Sequence, residues 1–197
     1  VAKKLGLGRR ARVVVSTNVT LDHVISTNNR RQGLSIGPVR GVNVIHSTFS
    51  HTHGTKPQAG IDIEPQGQGP ARDITFSDCT ITGNQGSGLE IHSNVSGVVV
   101  KNCRIQDNNG YGVLSVGASQ LTISENTITG NGLVGVTISP GTNNVRITGN
   151  SLTGNSTRFL RSLVDSIRSM KMSDRAHNLR IAEGAGAVTV SGNTFQP

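Results

Sequence analysis

Apolar and polar residues alternate along most of this chain, and the alternation recurs within a fixed phrase of eleven residues. Four copies are close: ITFSDCTITGN over 74–84, VVVKNCRIQDN over 98–108, LTISENTITGN over 121–131 and VRITGNSLTGN over 145–155. Their starts lie 24, 23 and 24 residues apart. In each copy the first, third and eighth places are apolar. The sixth is Cys79, Cys103, Asn126 or Asn150, and the phrase closes on Gly-Asn or Asp-Asn. Looser copies begin at Val19, Val42 and Val188. The step from 42 to 74 is 32 residues and that from 145 to 188 is 43, so two rungs carry inserts of about eight and about nineteen residues.

Alternation with period two is strand spacing, and Val, Ile and Thr suit strands. A second short strand precedes each phrase, opening on Gly33, Gly60, Gly88, Gly112 or Gly135. Gly and Asn tolerate left-handed backbone, so the Gly-Asn pairs are expected at corners. Short strands repeated every 23–24 residues predict an all-β chain: a parallel β-helix solenoid of about seven rungs, right-handed like other parallel crossovers. At a strand spacing of about 4.8 Å the rod is roughly 30 Å long. The sixth-place residues should form an inward column, with Cys79 and Cys103 as free thiols and the Asn126 and Asn150 amides hydrogen-bonded. In-register neighbours point alike, which suits a disulfide poorly.

The repeats leave one domain, 1–197, which reads as a fragment or mature part of a longer protein. Residues 1–12, with Lys3, Lys4, Arg9, Arg10 and Arg12, are a basic leader or a partial rung. Residues 156–176 form an amphipathic insert. Phe159, Leu160, Leu163, Val164, Ile167 and Met170 fall at helical spacing, predicting a short helix near 157–172 with Arg161, Arg168 and Arg175 along one flank. The other insert splits into two loops, 50–59 and 65–71.

Composition narrows the partners. The net charge of +8 favours a polyanion. Aromatics are only 3% of the chain, which disfavours nucleic acid, since stacking platforms are missing. No apolar run reaches the length of a membrane span.

Candidate chemistry is concentrated on one strand face. Aligning the strands places Arg12, Ser35, Asp62, Glu90, Leu114, Thr137 and Arg180 in one outward column, with Glu64 and His92 in the next. Asp62, Glu64, Glu90 and His92 thus form a two-by-two block. Carboxylates this close should raise one another's proton affinity and leave one protonated as a general acid. Arg30 and Arg31, with His51, His53 and Lys56 in the adjoining loop, are the candidate substrate-binding cations, and Tyr111 is a more distant candidate acid. His51 and His53 lack a further ligand at a recognised spacing. Calcium on Asp62, Glu64 and Glu90 is the one cofactor the residue types suggest.

The Gly-Asn rhythm, the Asn columns and the G-x-hydrophobic strands resemble the pectate-lyase-like right-handed β-helix superfamily over residues 19–195. That group includes polysaccharide lyases, polygalacturonases, alginate C5-epimerases and phage tailspikes. GIDIEP at 60–65 looks like a segment of bacterial and phage β-helix proteins assigned to polysaccharides. The epimerase motif Tyr-Gly-Phe-Asp-Pro-His-Glu is matched in pieces: Gly60 and Asp62, then Gly88 and His92, then Tyr111-Gly112. Glu64 stands in the place of the motif's His, and Glu90 in that of its Asp.

The resemblance implies an extracellular or virion-associated protein acting on an acidic polysaccharide, with lyase or epimerase chemistry. In that chemistry His92 or a carboxylate removes the C5 proton, Tyr111 is the acid, and Arg30 or Arg31 neutralises the uronate. A glycoside hydrolase with paired carboxylates and a glycan-binding tailspike or adhesin, trimeric in the former case, are the alternatives.

Overall fold

The computed structural model describes residues 15–66, 69–157 and 177–196. Among these described residues three parallel sheets wrap around one core. The first has seven strands, from Ser16–Asp22 to Val188–Ser191, and the second seven, from Ile25–Thr27 to Thr194–Gln196. The third has six: Gln32–Ile36, Ala59–Ile63, Leu89–Ile91, Val113–Ser115, Val136–Ile138 and Leu179–Ile181. Each turn visits the sheets in that order, giving six full turns and the start of a seventh.

The register follows the repeat. Val19 pairs with Val42, Val42 with Ile74, Ile74 with Val98, Val98 with Leu121, Leu121 with Val145 and Val145 with Val188. Both inserts therefore leave the pairing in phase. Each inward column is an aliphatic stack, and Ile74, Val98, Ile123, Ile128 and Ile147 are fully buried. Among the described residues no helix is long and apolar enough to cross a membrane.

Two asparagine ladders run inside the coil. In one, Cys103 N–H donates to Asn126 Oδ1 (2.8 Å), Asn126 to Asn150 and Asn150 to Asn193. Amide-to-amide bonds join Asn126 to Asn150 (2.9 Å) and Asn150 to Asn193 (2.8 Å). Cys79 and Cys103 continue the column as buried free thiols directed at main-chain carbonyls.

The second ladder corrects one expectation. The closing residues Asn84, Asn108, Asn131 and Asn155 do not supply the left-handed corners. The residues just before them do: Gly83, Asp107, Gly130 and Gly154, all at positive φ. The asparagines turn inward and hydrogen-bond to one another, Asn84 to Asn108 to Asn131 to Asn155. The corner takes the residue that tolerates φ > 0. The following amide satisfies the main-chain donor that the turn exposes to the core.

The helix and basic flank expected at 157–172, and the leader with Arg12, fall largely or wholly outside the described residues.

Candidate functional site

The outward columns lie on the third sheet as the alternation requires. Ser35 pairs with Asp62, Asp62 with Glu90, Glu90 with Leu114, Leu114 with Thr137 and Thr137 with Arg180. His92 follows the Leu89–Ile91 strand, and its N–H donates to Ile63 O (3.1 Å). That bond lets the imidazole reach back over both acids. His92 Nε2 lies 3.2 Å from Asp62 Oδ1 and 3.6 Å from Glu90 Oε2. The three ligand-type atoms of Asp62, Glu90 and His92 all fall within 4.8 Å of one another.

Asp62 faces outward by register yet is only 1% exposed. His92 lies over it, and Gln32 Nε2 donates to its Oδ2 at 2.8 Å. The other oxygen, Oδ1, has the His92 contact but no well-aligned hydrogen bond. Glu90 and His92 are half-buried at the surface of the sheet.

The proton of this cluster sits on the histidine. Hydrogen-bonding contact with Asp62, then with Glu90, raises His92 to about 10 against the opposing effect of burial. Burial alone would raise Asp62. The close contact with His92, the hydrogen bond from Gln32 and the positive charges of His92 and Arg31 outweigh it, and Asp62 titrates below the usual carboxylate range. The alternation suggested a protonated carboxylate because it counted acids and left out how closely the imidazole would cap them.

The other candidates are distributed around this trio. Glu64 is directed elsewhere: its Oε2 accepts from Gln66 Nε2 at 3.0 Å, and it lines an open groove of about 300 Å³ with Arg31, Gln32, Ser35, Gly37, Pro38 and Gln66. Arg31 Nε donates to Lys56 O at 3.1 Å, which holds the 51–58 loop against the strand entry, and Arg30 Nε donates to Thr55 Oγ1 at 3.2 Å. The Lys56, His51 and His53 side chains are exposed in that loop. His51 has a left-handed backbone, and its ring would lie 3.1 Å from a Cβ at position 83. Tyr111 stands at the entry to the next rung, where its carbonyl accepts from Gly88 N–H. It is three residues before Leu114, the partner of Glu90, and therefore about 10 Å along the strand from the trio.

Gln32 was not legible as a site residue. Strict alternation puts it in phase with Leu34, on the opposite side from Asp62, and no repeat marks it. Calcium takes six to eight oxygen ligands. Two carboxylates and an imidazole nitrogen do not match that preference, and Glu64 does not complete the set. The donor set therefore gives calcium no role in the chemistry considered below.

Comparison with solved structures places the coil beside two modules of Azotobacter vinelandii. The mannuronan C-5 epimerase AlgE6 A-module superposes with a TM-score of 0.66 at 16% identity, over 92% of this chain and 58% of that one. The AlgE4 A-module superposes with a TM-score of 0.61 at 18% identity, over 91% and 54%. The chain thus spans a little over half the length of either module, and at these identities the likeness is one of fold. No curated protein sequence matches. The coil, its three sheets and its repeat agree with the sequence-family match over residues 12–196: the chain belongs to the family described as "Right handed beta helix region".

Proposed function

We propose that the third-sheet face binds an acidic polysaccharide and that Glu90 and His92 act on a uronate by removing and returning protons at C5. The observation that carries this reading is the single imidazole held 3.2 Å from a buried carboxylate and 3.6 Å from a more accessible one. Such a trio divides the labour. Asp62 is too deeply covered to touch a sugar and acts as a positioning residue that keeps His92 oriented and charged. His92, carrying its proton at neutral pH, is the donor. Glu90, beside it on the same face, is the base for the C5 proton.

A C5 proton becomes removable when the adjoining carboxylate is neutralised, because the negative charge of the carbanion spreads onto that group. Arg31, at the rim of the groove, is the cation placed for this. Glu90 and His92 share one face, which fits β-elimination, with the proton taken at C5 and the 4-oxygen leaving as His92 donates. Epimerisation needs a proton returned to the opposite face, and Tyr111 is the candidate donor for that. The structural neighbours are titled mannuronan C-5 epimerases, and both outcomes begin with the same C5–H cleavage. A glycoside hydrolase with Asp62 and Glu64 as its paired carboxylates is less well supported, since both must reach the sugar or its attacking water, Asp62 is 1% exposed and Glu64 is turned to Gln66.

The test is incubation with polymannuronate, polyguluronate and polygalacturonate, following ultraviolet absorbance for unsaturated ends and proton NMR for epimer content. Turnover of one polymer that disappears in Glu90→Gln and His92→Ala supports the reading. Turnover unaffected by both substitutions removes these residues from the chemistry.

A further inference from the structure

On the corner between the first and second sheets, a different set of side chains converges. Asp22 ends the Ser16–Asp22 strand, His23 follows it, and His46 occupies the equivalent corner one rung on. His23 Nδ1 lies 2.6 Å from Asp22 Oδ1, and His46 Nδ1 lies 3.2 Å from the same oxygen. The imidazole rings overlie one another with centroids 4.8 Å apart. All three side chains are exposed, so ions in solvent reach them freely.

We propose that Asp22, His23 and His46 form a binding site for a transition-metal dication of the Zn²⁺ class, clasping the first rung to the second. Three observations carry this. First, the donor atoms are gathered within 4.8 Å of one another. Small side-chain movements, chiefly of His23 away from its hydrogen bond to Asp22, bring them to the separation of about 3.3 Å set by a tetrahedral ion with ligands at about 2.0–2.1 Å. The two nitrogens here lie 2.6 and 3.2 Å from the carboxylate oxygen. Second, the backbone fixes the arrangement. His23 and His46 both have left-handed φ, +53° and +49°, imposed by the corner, and their main-chain N–H groups donate to Ile45 and Ser77 of the next rung. The two side chains therefore start from stacked positions on adjacent rungs. Third, the chemistry selects the ion. Two imidazoles and one carboxylate are a borderline set favouring Zn²⁺, Ni²⁺ or Cu²⁺, whereas Ca²⁺ and Mg²⁺ prefer oxygen alone. Nδ1 ligation leaves each Nε2–H facing solvent, where water satisfies it.

The site is separate from the Asp62–Glu90–His92 trio and stands whether or not that trio is catalytic. An ion bridging the Asp22–His23 corner to His46 would oppose separation of the first rung from the second. Zn²⁺ at a hundred times its Kd makes such opening about a hundredfold rarer.

The experiment is a Zn²⁺ titration of the untagged, chelator-treated chain by calorimetry, with amide exchange read over residues 16–27. His23→Asn and His46→Asn keep the left-handed corner, because asparagine tolerates it and Asn102 already occupies an equivalent place at φ +52°. His92→Ala removes the trio's imidazole. The expected result is one Zn²⁺ bound in His92→Ala, affinity lowered at least tenfold on adding His46→Asn or His23→Asn, and exchange over 16–27 slowed only when the corner is intact. Absence of Zn²⁺ binding in His92→Ala would overturn the proposal. So would binding there that survives both asparagine substitutions.

Discussion

Replacing Asn131 by alanine tests whether the inner ladder holds the coil together. Asn131 Oδ1 accepts from Asn108 N–H at 3.1 Å and from Asn108 Nδ2 at 3.0 Å. Its own Nδ2 donates to Asn155 Oδ1 at 2.8 Å and to Ile105 O at 3.1 Å. Alanine leaves two buried donors of Asn108 without an acceptor, because Asn108 is 1% exposed and its other amide bond, to Ile81 O, uses a different proton. Each orphaned group costs about 1–3 kcal/mol, so the substitution should destabilise by about 4 kcal/mol. A domain of this kind has a total stability of about 5–15 kcal/mol, so the loss is a large share. Urea unfolding reads it directly: with a slope of about 2 kcal/mol/M, the midpoint falls by about 2 M at unchanged slope. Asn193, at the outer end of the other ladder and only half-buried, is the comparison. Asn193 also accepts two donors of a buried neighbour, Asn150 N–H and Nδ2. Its own half-exposure lets water enter as its side chain is cut back, and Asn150 Nδ2 keeps Ile123 O and Thr148 O. Asn193→Ala should therefore cost about 1 kcal/mol. A loss in Asn131→Ala no larger than that of Asn193→Ala would refute the ladder as a source of stability.

Further outcomes follow from particular contacts. The His92 ion pairing should stabilise the fold fully below about pH 6.5 and fade as pH rises towards about 10, since its folded value is raised. The Asp62 contribution runs the other way, present above its ordinary value of 3.8 and lost as pH falls through its lowered folded value. Thermal melts across pH 6–10 should lose that alkaline component in His92→Ala, and NMR of the wild-type imidazole should find it protonated at pH 8. Gly88→Ala should destabilise by about 1–3 kcal/mol in the same urea assay, because its Cβ would lie 2.7 Å from Gly112 O and from Ile105 Cγ2. Cys79 and Cys103 are 1% and 2% exposed, so a thiol reagent should modify neither until denaturant is added.

Much of this architecture could be read from the sequence because a solenoid converts period directly into register. The pairing of Val42 with Ile74 across a 32-residue step was visible because both inserts interrupt loops and leave the apolar phase untouched. Outward columns followed from the same counting, which brought Asp62 next to Glu90. What counting could not supply is the direction and reach of a long side chain. Glu64 turns to Gln66, Gln32 reaches Asp62 against its alternation phase, and His92 folds back to cap both acids. The location of the cluster's proton depends on those few ångströms. The Asp22–His23–His46 corner was missed for a related reason. The sequence marks corner residues only by their backbone tolerance, yet stacked corners also stack their side chains.

The claim that this face removes a uronate C5 proton is tested most directly by isotope exchange. Elimination and epimerisation both break the C5–H bond, and hydrolysis leaves it intact. Incubating the chain with each uronate polymer in D₂O and recording proton NMR of the recovered sugars reads that bond alone. The account predicts loss of the C5 proton signal in one polymer, as a 4,5-unsaturated end or a 5-deuterated uronate, and retention of that signal with Glu90→Gln and with His92→Ala. New reducing ends with every C5–H bond intact, or no exchange in any of the three polymers, would contradict it.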